Sequence, residues 1–115
     1  REYLRLAPVL QRLGLQRNTV GFNRVMYNAL DLFIQAPAAY DGRGGFIEKL
    51  PDVVRKGATL EAIATARAKS YYDPNDPTRL LASPIFGQSM TSRYRGLFAD
   101  QRKRAMTLEY QRRFN

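Results

Sequence analysis

Apolar side chains recur with a helical period along most of this chain. The clearest series is Phe22, Val25, Met26, Ala29, Leu30 and Phe33, spaced i, i+3, i+4, i+7, i+8 and i+11. Asn18 or Thr19 is placed to cap that helix and Ala36-Pro37 to end it, while Arg24, Asn28, Asp31 and Gln35 fall on its opposite, polar side. Before it, Leu4, Leu6, Val9, Leu10 and Leu13 suggest an extended lead-in and a helix over about 8–17, because Pro8 fits best in a first turn and Gly14 weakens the end. Phe46, Ile47, Leu50, Val53 and Val54 predict two short turns, or one helix that begins near Pro51 and stops at Gly57. Thr59 caps a thin, Ala-rich helix to about Tyr71, with Leu60, Ile63, Ala64, Arg67, Ala68 and Tyr71 on one side.

Residues 73–92 change character. Asp73-Pro74, Asp76-Pro77 and Ser83-Pro84 each place a turn residue before a proline, which favours successive turns over a long element. Leu80, Leu81, Ile85, Phe86 and Met90 remain apolar there, so this arm needs cover from the helices or from a partner. Ser92 can cap a last helix to about Arg113, striped by Tyr94, Leu97, Phe98, Ala105 and Leu108, with Gln101 interrupting the stripe. No sustained alternation of period two appears. The expected fold is mainly α: one domain over 1–115, a small bundle of about four helices with a Pro-rich extended arm at 73–92 and a basic C-terminal helix.

Charge sharpens this picture. The net charge of +9 lies at the two ends: residues 1–24 carry five Arg and one Glu, and residues 91–115 carry seven basic and two acidic groups. Residues 25–90 balance seven against seven. Such a chain suits docking to something anionic better than turnover of a substrate. With no Cys and no His, disulfides, thiolate chemistry, Cys-based metal sites and the usual neutral-pH proton shuttle are excluded. Serine or threonine nucleophiles would have only Lys49, Lys56 or Lys69 to activate them. We therefore assign no catalytic, cofactor-binding or metal-ligating residue and expect no enzyme.

Two local clusters resemble ligand sites and are better explained as punctuation. The Asp41-Gly42-Arg43-Gly44-Gly45 loop could cradle a phosphate, but it matches no phosphate-binding motif and follows no strand, so a plain interhelical loop is favoured. Asp73 and Asp76 could face a hard cation, but capping the turns opened by Pro74 and Pro77 accounts for both.

The expected partner-binding groups are Arg93, Arg95, Arg102, Lys103, Arg104, Arg112 and Arg113 of the last helix, with Leu80, Leu81, Ile85 and Phe86 of the arm. On a helix Arg102, Lys103 and Arg104 fan over about 200°, so a basic group faces outward however the helix docks. The function expected is a non-catalytic scaffold or linker subunit that binds neighbouring subunits of a larger assembly, of the respiratory, photosynthetic or ribosomal kind. RNA or DNA binding through the basic ends is the alternative, and peripheral contact with an anionic membrane is open to the same groups. A first residue of Arg, with 15 Arg to 4 Lys, fits removal of a mitochondrial or plastid transit peptide. An arginine-favouring genome explains the composition as well.

Overall fold

The computed structural model describes residues 1–73, 75–80, 96 and 99–109, and of 77–80 the backbone alone. It is mostly helical, with α1 over Glu2–Arg12, α2 over Val20–Gln35, α3 over Pro37–Asp41, α4 over Phe46–Arg55 and α5 over Leu60–Lys69. Strands β1 (Tyr72–Asp73) and β2 (Asp76–Leu80) follow, and then a helix over 99–109, α6. Among the described residues no helix is long and apolar enough to cross a membrane.

Two helices begin earlier than the prolines suggested. Pro8 lies inside α1 and Pro51 inside α4, each removing one backbone donor. Both prolines are exposed, as is Leu4, whose carbonyl loses its partner to Pro8, so water can meet the orphaned group. α1 also ends sooner, because Gly14 takes φ of 102° and the Leu15 N–H turns back to the Leu10 carbonyl at 2.9 Å. α2 and α5 match the sequence closely. Thr19 Oγ1 accepts from the Phe22 N–H at 3.3 Å and Thr59 Oγ1 from the Ala62 N–H at 3.2 Å, caps of about 1 kcal/mol each.

The 16-residue α2 is the central element and packs on α1, α3 and α5, while α4 packs on α3 and α5. Its inward row of Phe22, Val25, Met26, Ala29 and Leu32 meets Leu6 and Leu10 of α1, Phe46, Leu50 and Val53 of α4, and Ile63 of α5 in one core. Tyr40 of α3 donates to Glu2 Oε2 at 2.7 Å and stacks edge-on against Phe33, fastening the start of α1. Burial and the Glu2 carboxylate together push the Tyr40 hydroxyl pKa upward.

At the start of the expected arm the chain forms a short antiparallel hairpin rather than a run of turns. Tyr72 pairs with Leu80 and Asp73 with Asp76, with a bulge between. The Asn75 N–H donates to Asp73 Oδ1 at 2.9 Å, so Asp73 closes a local turn of the kind that aspartate favours. The rest of the 73–92 segment lies outside the described residues.

Gly42 ends α3 with an ordinary negative φ, and space alone fixes its identity: an added Cβ would stand 2.3 Å from the Ala38 carbonyl oxygen. Gly42→Ala should therefore destabilise the fold by about 1–3 kcal/mol, an overpacking effect. A lower urea midpoint at unchanged slope is the expected result.

Candidate docking surface

In the polar row of α2, Asn28 is buried and Arg24 and Asp31 are half-buried, with Gln35 exposed at its end; Asn28 and Asp31 face a buried arginine. Arg67 of α5 has 0% of its surface exposed, and its guanidinium meets acceptors from two other helices. Its Nε donates to Gln101 Oε1 at 2.7 Å, Nη1 to Asn28 Oδ1 at 3.1 Å, and Nη2 to Asp31 Oδ2. Asn28 and Asp31 can both reach it because i and i+3 lie on one helix face. Burial lowers the Arg67 pKa, and the Asp31 carboxylate works in the opposite direction. Tyr71, just past the end of α5, is buried beside it, and that burial raises the Tyr71 pKa.

α6 completes the seam and runs antiparallel to α2, with Arg104 over Asp31 and Glu109 over Arg24. Arg104 makes a two-pronged contact, Nε to Asp31 Oδ2 and Nη2 to Asp31 Oδ1, each at 2.7 Å. The Gln35 side chain lies against the same guanidinium. Arg24 Nε stands 3.1 Å from Glu109 Oε1, a close charge contact without the alignment of a hydrogen bond. On the far edge Arg102 reaches Glu61 at 3.5 Å. The row of α6 turned inward is Gln101, Ala105 and Glu109, with Leu108 half-buried, so the described part of the helix is seated largely by polar groups.

Two of the three consecutive basic residues are therefore engaged with carboxylates of their own chain, while Lys103 is exposed. Leu80 contributes its backbone to β2. Arg93, Arg95, Arg112, Arg113, Leu81, Ile85 and Phe86 lie outside the described residues, as do Tyr94, Leu97 and Phe98 of the expected stripe.

Beside the seam, α2 carries a feature that periodicity toward the core had hidden. Val20, Tyr27 and Ile34 are 53%, 51% and 79% exposed. Their spacing of seven residues places them on one outward row about 21 Å long, adjacent to the row that receives α6. A repeat of seven among exposed apolar residues was the available signal. For the seam, the signals were Arg67 on the apolar side of α5 and Gln101 within the stripe of α6.

The other two candidates are satisfied internally. In the 41–45 loop the Gly44 N–H donates to the Glu48 carboxylate and Lys49 reaches the Gly44 carbonyl, so the chain supplies its own anion. Among the described residues no three potential metal ligands converge around Asp73 and Asp76 or elsewhere.

Removing a single partner from the buried pair is the informative perturbation. Arg67→Ala should destabilise by about 3–5 kcal/mol, because Asp31 and Asn28 lose the group that satisfies them. The pH dependence reports Asp31 itself. Its burial raises the carboxyl pKa, but the Arg104 and Arg67 hydrogen bonds outweigh that and hold it below its ordinary 3.8. Its contribution is thus complete above the ordinary value and is lost as pH falls through the folded-state value. Urea titrations of wild type and Asp31→Asn should differ most near neutrality and converge as pH falls below the ordinary 3.8. Comparison with known protein families, characterised proteins and solved structures found no match.

Proposed function

We propose that this protein is a non-catalytic scaffold or linker subunit that joins neighbouring protein subunits of a larger assembly. The carrying observation is the outward row of Val20, Tyr27 and Ile34 on the 16-residue α2, bordered by the basic edge of α6. A central aromatic and aliphatic strip with arginines at its rim is the composition by which protein interfaces differ from ordinary surface. A seven-residue repeat also suits a partner helix, whose own side chains fall between successive knobs.

The basic helix supports the same reading. Arg102 and Arg104 are held by Glu61 and Asp31, which fixes their positions and reduces the charge they offer to phosphates. A pre-positioned, partly neutralised arginine is better matched to a carboxylate or carbonyl on a protein surface than to a polyanion. This places nucleic-acid binding second. Its signature would be a steep loss of association as salt rises.

The test is purification of the native assembly at a salt concentration that strips nucleic acid. The protein should remain with protein neighbours under nuclease treatment, and Tyr27→Ala with Ile34→Ser should weaken that association by about tenfold or more, on the scale of an aromatic anchor. Both side chains are exposed, so the helical circular dichroism and thermal midpoint should be unchanged. Retention of the double variant, or recovery of RNA in place of protein, would reject the scaffold reading.

A further inference from the structure

Three of the chain's four lysines, Lys49, Lys56 and Lys69, line one groove of about 500 Å³ between α4 and α5. The short connection over 56–59 folds these helices back on each other, so the start of α4 lies beside the end of α5. Lys49 is consequently close enough to Lys69 to feel its charge. At the opposite end, near the turn, the lining carboxylates are already engaged. Asp52 holds Lys56 at 3.0 Å and also Arg55, and Glu61 holds Arg102.

The Lys49–Lys69 end differs. Among the described residues, none of the ion pairs includes either lysine, although Lys49 donates to the Gly44 carbonyl. Burial lowers the Lys49 pKa first; the adjacent Glu48 carboxylate raises it, and the Lys69 ammonium across the groove lowers it. The floor is small: Ala62 and Ala66 leave room, and the half-buried Thr65 adds a hydroxyl. A groove of this volume is in the range that holds a small ligand.

We propose that the Lys49–Lys69 end of this groove binds a small soluble phosphorylated anion of the diphosphate class, its oxygens bridging the two ammonium groups and the Thr65 hydroxyl. Lysine binds phosphate as a mobile point charge and two such groups suit two linked phosphates. Asp52 and Glu61 at the other end oppose a continuous phosphodiester running through the groove, which favours a compact ligand over a nucleic acid strand.

Calorimetric and phosphorus NMR titration of the full chain with inorganic diphosphate, at constant ionic strength, tests this. Saturable one-to-one binding is expected. Lys69→Gln and Lys49→Gln should each weaken it about tenfold, the scale of one charge-assisted contact, while Lys103→Gln on α6 changes it less than about twofold. Lys69 is exposed, so its variant keeps the fold even if Lys49→Gln does not. Non-saturable binding, or an equal loss in the Lys103 variant, would reduce the effect to general attraction by a basic protein and overturn the proposal.

Discussion

A guanidinium with no exposed surface must be neutralised where it lies, and in this protein the requirement falls on Arg67. Moving a lone charge of this kind out of water costs several kcal/mol, and the deficit is offset only by acceptors held in the right directions. α2 supplies two of them one helical turn apart, Asn28 and Asp31, and α6 supplies a third in Gln101. The planar fork of the arginine tolerates little rotation or sliding of these helices. An apolar core of Leu, Val and Phe would accept several neighbouring registers at similar energy. The Arg67 contacts select one and so fix which residues of α2 face outward.

Over its described residues, α6 is held mainly by polar contacts. Among the described residues, Ala105 is the one apolar member of its fully buried row, set between Gln101 and Glu109. Exposed pairs such as Arg102 with Glu61 contribute little in water, of order 0–1 kcal/mol. Among the described contacts the Asp31 carboxylate is the most heavily used, serving both Arg67 and Arg104. If α6 were displaced, Arg67 would lose Gln101 but keep Asn28 and Asp31, and water could enter the opened side. Separation is thus far less costly than extraction of Arg67 itself. A helix attached in this way retains its orientation while remaining responsive to salt and to competing charge.

The helices whose apolar faces meet the core were legible in the sequence because a period of 3.6 leaves a long record. Thr19, Thr59 and the Phe22-to-Phe33 series located α2 and α5 with little error. Helix starts at Pro8 and Pro51 were less legible, since a proline on the exposed face removes a donor that solvent can replace, and the sequence alone does not show which face that is. The polar row of α2 was legible as polar but not as packed against α5 and α6. Polar residues on a helix ordinarily signal solvent, and only Arg67 on the apolar side of α5 and Gln101 in the stripe of α6 mark this row as an internal seam. The hairpin was hidden by its proline-bearing sequence, in which Asp73 and Asp76 read equally well as isolated turn caps. The lysine groove is a further case: Lys49, Lys56 and Lys69 appeared as unrelated groups until the fold placed 49 beside 69.

The seam and the groove share α5 without sharing a face. Arg67 points inward and Lys69 outward, two residues and about 200° apart. Glu61 connects them, because it lines the groove while pairing with Arg102 of α6. With α6 seated, Arg102 offsets the Glu61 charge; with α6 displaced, that charge acts on the groove alone. The pair is solvent-exposed, so the resulting change in the groove's potential is small and screened by salt. Its sign is nevertheless fixed by the geometry: a docked α6 makes the groove more hospitable to an anion, and a bound anion favours docking of α6. Because linkage is reciprocal, a partner that captured α6 away from α2 would also loosen whatever anion the groove held.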